Sequence, residues 1–279
     1  MDLIVTVLAV PVGLVVGGFV TMVVDRVPDA TPITLRSRCP HCEHQLGWFD
    51  TVPVSSWLRL KGRCRHCDVP ITPAYPVVEI ATAAIFALVV WRFGAGWELL
   101  PPLVLVAALM ALSVTDLYVY RLPDRITFPA LGLSLGAMVV ASVALDRPGA
   151  IPRALVGAVG YFAVLLTAHL ISPRGMGFGD VKLALLLGLH LGWVAGISYT
   201  GWAPVAQLVT YALLMGSVVG VVVGLSVALL RRRVGVRVLP DPEADARAPR
   251  RILGQSFPFG PALAAGTMMA VVFSDVLLL

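Results

Sequence analysis

Long uncharged apolar runs alternate with short polar segments along almost the whole chain. An α-helix needs about 20 mostly apolar residues to cross the hydrocarbon core of a membrane. Runs of this kind occupy Leu3–Val24, Pro76–Trp91, Leu99–Thr115, Ile126–Leu145, Ala154–Ile171 and Phe257–Leu279. A further run, Leu183–Leu230, is too long for one helix and is predicted to divide at the turn Tyr199–Pro204. The pattern therefore predicts about eight transmembrane helices.

The composition also indicates a membrane protein. Hydrophobic residues make up 58% of the 279 residues and charged residues only 13%, against roughly 25% charged residues in soluble proteins. So few charges could not cover the surface of a soluble protein, and the same values exclude disordered, coiled-coil and collagen-like chains. We therefore predict an all-α polytopic membrane protein.

The basic residues predict how the helices are oriented. Loops that stay in the cytosol carry an excess of Lys and Arg. If the N-terminus is outside, only three of the 21 basic residues, Arg92, Arg147 and Arg153, fall in outside loops. This alternation supports the helix count and predicts that both termini lie outside. The last inside loop, 231–256, is long and basic, and no motif indicates its role; no strong internal repeat is visible.

All four cysteines lie between the first and second predicted helices, in two CxxC pairs. The pairs are Cys39–Cys42 and Cys64–Cys67, and two such turns can complete a tetrahedral four-thiolate zinc site. Disulfides and incidental thiols are the alternatives, but thiols stay reduced in the cytosol. Four thiolates leave no position for a catalytic water, so the zinc is predicted to be structural. The histidines that could replace a cysteine as ligand are His41, His44 and His66.

Three acids lie within or at the ends of apolar runs on the predicted cytosolic side: Glu79, Asp116 and Asp180. Ionisable groups in membrane spans are costly and often functional; Asp275, near the opposite end of the last run, could be solvated by interfacial water. Asp116 ends the third predicted helix and Asp180 begins the sixth, so both carboxyls are expected at one membrane depth. Two such carboxyls can share a proton, one acting as base on a water while the other protonates a scissile carbonyl oxygen. Helix capping or interfacial solvation of each aspartate is the alternative.

The residues around Asp180 predict how a substrate is accommodated. Gly177 and Gly179 lack a Cβ, so an extended peptide can approach the backbone closely there. A phosphate-binding loop is the alternative for these glycines, but no strand precedes them. Lys182 is predicted to contact substrate, a carboxylate or a lipid headgroup, or simply to extend its ammonium to the interface. Asp124 is predicted to cap the fourth helix.

Several motifs taken together resemble those of one family. They are Gly17–Pro28, both CxxC pairs, Pro53–Cys64, Ile71–Glu79, Asp116 with Leu122-Pro-Asp124, Gly177-Phe-Gly-Asp180 and Pro258-Phe-Gly-Pro261. On these motifs the chain resembles the bacterial prepilin peptidases, also called type IV leader peptidases, of the GxGD group of intramembrane aspartyl proteases. The resemblance covers nearly the whole chain.

This resemblance implies a membrane-embedded endopeptidase that removes basic leaders from type IV prepilins or type II secretion pseudopilins. It places the activity at the cytosolic face of the bacterial inner membrane and implies that Asp116 and Asp180 are the catalytic pair. It also implies a second activity, methylation of the new N-terminus with S-adenosylmethionine; Gly17, Gly18 and Glu79 fall in the region linked to it. The alternative for Glu79 is a structural role as the partner of a loop arginine.

The expected organisation is a first transmembrane helix over 1–25, a cytosolic four-cysteine zinc domain over 26–75, and a transmembrane aspartyl peptidase domain over 76–279. The expected partners are prepilin-type substrates and membrane lipid, and no nucleic acid. Two other functions stay open at this point. One is a non-enzymatic scaffold whose zinc domain docks assembly machinery. The other is a transporter or proton pathway that uses the same acids, although their clustering at one face argues against it.

Overall fold

The computed structural model describes residues 2–27, 32, 37–39, 41–173, 176–234 and 259–278. These residues form ten α-helices and two short 3₁₀ turns, and within the described ranges the only β-structure is two isolated bridges. The chain divides into two compact units, 1–111 and 112–279. The loop predicted at 231–256 lies outside the described residues from 235 onward, as do Arg174, Gly175 and Pro258 of the sequence motifs.

In the first unit, α1 (Asp2–Arg26) packs along α3 (Ala74–Phe93). Gly13 and Gly17, one turn apart on α1, let the two backbones approach closely. A Cβ added to Gly13 would lie 2.6 Å from the Cα of Ala83, and one added to Gly17 would lie 2.6 Å from the Cα of Glu79. Small residues at this spacing are typical of helix contacts in membranes, where van der Waals packing and not hydrophobic burial drives association.

The segment between these two helices forms a small domain that contains the 3₁₀ turn Trp48–Asp50 and the short helix α2 (Ser55–Arg59). The indole N–H of Trp57 donates to the carbonyl of Ile71 at 3.1 Å, which ties the two ends of the second CxxC loop together. The Tyr75 hydroxyl donates to Asp25 Oδ2 at 2.7 Å, which links the start of α3 to the end of α1. A second 3₁₀ turn, Trp97–Leu99, leads into α4 (Leu100–Val119), within which the boundary between the units falls.

The second unit is a helical bundle in which α7 is the central helix. Its members after the end of α4 are α5 (Asp124–Ala144), α6 (Ala150–Ile171), α7 (Phe178–Ser198), α8 (Ala203–Val234), α9 (Gly260–Val272) and α10 (Ser274–Leu277). Most of α7 is buried because α5, α6, α8 and α9 all pack against it. The closest contact is with α6, where a Cβ on Gly157 or Gly188 would collide with the backbone of the other helix. The indole N–H of Trp193 donates to the Ser142 hydroxyl at 2.9 Å, which joins α7 to α5.

Within the described residues, seven helices are long and apolar enough to cross a membrane, which agrees with the all-α membrane fold. The predicted division of Leu183–Leu230 is confirmed, because α7 ends at Ser198 and α8 begins at Ala203. The single span predicted over Phe257–Leu279 differs from the structure, in which Phe273 interrupts the helix between α9 and α10. The 13 residues of α9 cover only about 20 Å at 1.5 Å per residue. The break falls directly before the polar pair Ser274-Asp275, a local signal that the prediction of a single span did not take into account.

Candidate active site and metal centre

The four cysteines come together at one point of the first unit. Their Sγ atoms all lie within 4.8 Å of one another, and Cys39 Sγ is 3.7 Å from Cys67 Sγ. A tetrahedral site with zinc–sulfur bonds of about 2.3 Å requires sulfur–sulfur separations of roughly 3.8 Å. None of the four is in a disulfide, and none of the three nearby histidines belongs to the cluster. The donor set therefore fits a structural zinc ion held by four thiolates.

The two CxxC pairs adopt the same type of backbone turn. In the first turn, the Cys39 N–H donates to the His44 carbonyl and the Glu43 N–H donates to the Cys39 carbonyl. In the second turn, the Cys64 N–H donates to the Val69 carbonyl and the Asp68 N–H donates to the Cys64 carbonyl. Glu43 and Asp68 both have positive φ, 55° and 58°. The turn reflects a short repeat, Arg-Cys-x-His-Cys followed by an acid, at 38–43 and 63–68. The sequence analysis did not predict this short repeat, although the matching residues around each CxxC pair indicate it.

The first turn favours the thiolate form of one cysteine, Cys39. The backbone N–H groups of Cys42 and His41 point at Cys39 Sγ and lower the pKa of that thiol to about 6, which favours the thiolate that a metal requires. Outside the cluster, the rings of His44 and His66 stack with centroids 3.5 Å apart. These two histidines therefore connect the two CxxC turns through ring contact.

Glu79 is the buried acid of the first unit. Its Oε2 accepts a hydrogen bond of 2.7 Å from the N–H of Val54, and no arginine among the described residues contacts it. Arg36 of the same loop lies outside the described residues, so a loop arginine as the partner of Glu79 stays a prediction. Val54 has φ 57° and ψ −52°, and the Ser55 N–H donates across it to the Pro53 carbonyl at 2.5 Å. A β-branched residue at positive φ is strained by about 1–3 kcal/mol. The hydrogen bond to Glu79 helps to hold this turn in place.

The residues grouped with Glu79 in the sequence already have packing partners. Gly17 lies against the backbone of Glu79, and a Cβ on Gly18 would be 3.4 Å from Pro53 and 3.6 Å from Glu79 Oε1. In the described residues this leaves no space for a nucleoside between Gly17 and Glu79. S-adenosylmethionine therefore does not fit between these two helices, α1 and α3, and a methyl-donor site elsewhere in this region stays a prediction.

Two aspartates from distant parts of the sequence meet in the second unit. Asp116 lies in the last turn of α4 and Asp180 in the first turn of α7. Both are buried, with 6% and 8% of their surface exposed, and the charge on Asp116 acts electrostatically on Asp180. Asp116 Oδ2 is fully buried, and among the described residues no donor forms a hydrogen bond with it. A buried carboxylate oxygen without a donor is costly, and such a position suits a water or a substrate group.

Glycine backbone lies close to both carboxyls. A Cβ on Gly260, the first residue of α9, would lie only 2.8 Å from Asp116 Oδ2. The N–H of Asp180 donates to the Gly177 carbonyl at 3.1 Å, and the missing Cβ of Gly177 would lie 3.7 Å from Asp180 Oδ2. Leu122 fills the space between, 3.1 Å from the Cβ position of Gly179 and 3.6 Å from that of Gly260. Gly260 and Leu122 were present in the sequence motifs, but no role in the site was predicted for them.

Lys182 is held by the aspartate that was expected to cap a helix. Lys182 Nζ lies 2.6 Å from Asp124 Oδ1 and 2.9 Å from Oδ2, and it is 5.5 Å from the centre of the Phe178 ring. Asp124 is the first residue of α5, after the cap position Pro123, and no side chain caps that helix. The capping prediction for Asp124 is therefore wrong, because its carboxylate is drawn to the ammonium on α7. Of the interactions expected for Lys182, contact with a carboxylate is the one present.

The fold and these groups define a class: a polytopic helical membrane protein with a buried pair of aspartates and a four-thiolate domain. Within that class the chain belongs to the type IV leader peptidase family. Residues 103–225, which contain both aspartates, match the model of that family. Residues 12–93, which contain the cysteines and Glu79, match the Bacterial Peptidase A24 N-terminal domain.

Three similar proteins have the curated name "Prepilin leader peptidase/N-methyltransferase". The one from Myxococcus xanthus is 35% identical over 84% of this chain and 67% of its own length. The one from Pseudomonas putida is 34% identical over 96% of this chain and 90% of its own length, and the one from Stutzerimonas stutzeri is 30% identical over the same shares. No solved structure matches the chain. The seven spans and these relatives indicate a bacterial inner-membrane protein.

Proposed function

We propose that this chain is an aspartic endopeptidase that removes the leader from type IV prepilins or type II secretion pseudopilins. The observation that carries the proposal is that Asp116 and Asp180 are close enough to interact electrostatically, and that Asp116 Oδ2 has no hydrogen-bond donor in the described residues. The names of the relatives, which describe leader cleavage, support the same activity.

The chemistry follows from two carboxyls that share one proton. The ionised carboxyl takes a proton from a water, and the water oxygen bonds to the scissile carbonyl carbon while the protonated carboxyl donates to the carbonyl oxygen. The resulting tetrahedral intermediate collapses when the carboxyl that took the water proton donates it to the amide nitrogen and the carbon–nitrogen bond breaks, while a hydroxyl of the intermediate returns its proton to the other carboxyl. The leader leaves with a new carboxylate, the mature protein keeps a new amino terminus, and the pair returns to its shared-proton state.

The glycines favour an extended peptide as substrate. The backbone of Gly177 and Gly260 lies directly against the carboxyls with no Cβ between them, so a peptide bound at the two acids would lie beside main chain that it can approach closely. We place Gly177 and Gly179 in contact with the segment that is cut. The ammonium of Lys182 is already paired with Asp124, so we assign Lys182 to fixing α5 against α7 at the site. It would affect the substrate indirectly, by keeping the helix ends in position.

The orientation of the site is also part of the proposal. The distribution of basic residues supports a cytosolic position for the loops after α4 and before α7, so Asp116 and Asp180 would lie at the cytosolic face with both termini outside. A prepilin is held in the membrane by its apolar segment and leaves its basic leader in the cytosol. The scissile bond would then reach the bilayer at the depth of the two aspartates.

The four thiolates would hold a zinc ion that stabilises the small domain and takes no part in hydrolysis, because a closed four-sulfur site has no free position. Methylation of the new N-terminus is a second activity that we propose on the names of the relatives. S-adenosylmethionine is the expected methyl donor, and we assign no step to it.

One assay tests both activities. The full chain in lipid nanodiscs is incubated with a purified prepilin and S-adenosylmethionine, and product masses are read at successive times. The proposal expects loss of the leader mass, followed by gain of one methyl group on the mature product. An intact prepilin with a folded, zinc-containing enzyme would contradict the peptidase and favour a scaffold; cleavage without a mass gain would remove only the methylation.

A further inference from the structure

The small domain carries apolar side chains on its surface that the proposed activity does not use. Trp48 is 91% exposed and Phe49 is 72% exposed, and Val52 and Leu58 of the same segment are also exposed. A soluble surface seldom leaves a tryptophan and a phenylalanine fully in water at adjacent positions. This group, Trp48, Phe49, Val52 and Leu58, is called the apolar edge below.

The apolar edge belongs to a segment that lies at the depth of the membrane helices. Pro53 contacts α1 at Gly18, and Val54 donates its N–H to Glu79 on α3. Gly18 is about 12 Å inside the end of α1 at Arg26, and Glu79 is about 7 Å inside the start of α3, at a rise of 1.5 Å per residue. Both helices are candidate membrane spans, Leu3–Arg26 and Ala74–Phe93. Residues 53–54 therefore sit alongside the ends of two spans and not above them.

The charge next to the apolar edge fits an anionic surface. Arg63 pairs with Asp68 at 3.0 Å and Arg65 pairs with Asp50 at 2.5 Å, so these charges are matched within the domain. Arg59 donates to the Phe49 carbonyl and lies over the Phe49 ring, 6.0 Å from its centre. Lys61 has no acidic partner among the described residues. Arg59 and Lys61 thus leave positive charge beside exposed aromatic rings.

We infer that the apolar edge is a membrane anchor, with Trp48 and its neighbours inserted in the interfacial layer and Arg59 and Lys61 against anionic lipid headgroups. Tryptophan is enriched at membrane interfaces because its ring is apolar and its N–H is polar. Interfacial amphipathic helices bury their apolar face about 5–10 Å into the boundary between headgroups and acyl chains, which is of the same order as the distances from the helix ends to the residues that contact 53–54. Each basic residue close to an anionic surface adds further attraction. The inference is independent of the peptidase proposal and concerns only how the small domain is held.

The test measures the environment of Trp48 in the full chain, reconstituted in nanodiscs that contain anionic lipid. The emission of Trp48 is obtained as the difference between the wild type and Trp48→Phe. We expect it to be shifted to shorter wavelength, to lose most of its intensity with lipids brominated near the headgroup, and to be protected from aqueous acrylamide. Trp202, an exposed residue in the turn between two spans, gives the interfacial reference through Trp202→Phe. Equal zinc content in each variant shows that the domain remains folded.

The charge requirement is tested by Lys61→Glu against Lys61→Arg. Lys61→Glu should increase the access of acrylamide to Trp48 in anionic nanodiscs and change it little in zwitterionic ones, whereas Lys61→Arg should leave both unchanged. The inference is wrong if Trp48 is quenched by acrylamide as freely as tryptophan in water and is insensitive to brominated lipid. Protection of Trp48 that develops only after a prepilin is added would also overturn it, since the surface would then bind protein.

Discussion

The buried acids of the two units differ in how their oxygens are occupied. Glu79 in the first unit stands alone, and its carboxylate accepts the N–H of Val54 at 2.7 Å. Asp116 and Asp180 in the second unit interact electrostatically with each other, and Asp116 Oδ2 is buried without a hydrogen-bond donor in the described part of the chain. Burial alone therefore does not separate the structural role proposed for Glu79 from the catalytic role proposed for the aspartates. Backbone N–H groups do not separate them either, since Gly260 and Gly177 interact with Asp116 and Asp180 as Val54 does with Glu79. The distinguishing feature is that the aspartates form a pair, in which one oxygen of Asp116 has no donor among the described residues.

The two units also differ in what holds them together. The small domain has no β-strand in its described residues and brings four thiol sulfurs within 4.8 Å, so much of its folding free energy is expected from a metal. The second unit depends on close packing of helices, as between Gly157 and Gly188. Metal-dependent stability and packing-dependent stability can therefore be separated by experiment, and so can the roles of Glu79 and of the aspartate pair.

Removal of the metal should have the largest effect, because a structural zinc contributes an apparent binding free energy of about 10–16 kcal/mol in small zinc domains. We expect chelation or Cys64→Ser to abolish stoichiometric zinc and to expose residues 41–73 to proteolysis and hydrogen exchange. The α6–α7 pair should keep its protection, since its stability comes from helix packing. His41→Ala is the matched control, because His41 is outside the sulfur cluster. Zinc-free protein with unchanged exchange in 41–73 would contradict the metal assignment.

Loss of either carboxyl of the proposed catalytic pair should come next. Asp116→Asn and Asp180→Asn keep the shape of the side chain but cannot exchange the shared proton, so each should lower leader cleavage by about 10²- to 10⁴-fold. Initial rates with a prepilin in nanodiscs measure the effect. Asp146→Asn, an exposed aspartate at positive φ, should cleave at the wild-type rate. Near-normal cleavage by either site variant would disprove the assignment of the pair.

Gly260→Ala should separate activity from stability. The added Cβ would meet Asp116 Oδ2 at 2.8 Å, and the end of a side chain can move aside without unfolding the helix. We expect cleavage to fall by about 10- to 100-fold, because small displacements of a catalytic group are costly, with an unchanged melting temperature. Gly136→Ala is the control, since a Cβ at Gly136 meets nothing within 4 Å. If the two variants cleaved equally well, Gly260 would have no role in placing Asp116.

Changes at Glu79 should have the smallest effect on cleavage. In Glu79→Gln the amide oxygen can still accept the Val54 N–H, so cleavage should stay within about twofold of the wild type. Glu79→Ala removes the acceptor and should destabilise the first unit by about 1–3 kcal/mol, measured by thermal unfolding. A loss of cleavage in Glu79→Gln as large as that of the aspartate variants would end the distinction between the two kinds of acid.

The sequence by itself determined most of the helices and which polar groups come together. Apolar runs of membrane length predicted the helices, and the turn Tyr199–Pro204 correctly divided the longest run, because both signals are local. The spacing of the CxxC pairs predicted the cluster that the structure forms, since each pair lies on a single turn of backbone. The sequence also predicted that Asp116 and Asp180 would be close, from the side of the membrane on which each helix ends.

Only the tertiary structure decided which residues complete the sites. Gly260 lies against Asp116 and Leu122 lies against Gly179, Lys182 pairs with Asp124 across two helices, and Glu79 accepts the N–H of a loop valine. Each of these contacts joins residues far apart in the chain, and it depends on the rotation and depth of one helix against another. Periodicity and composition describe one helix at a time, so they fix neither quantity.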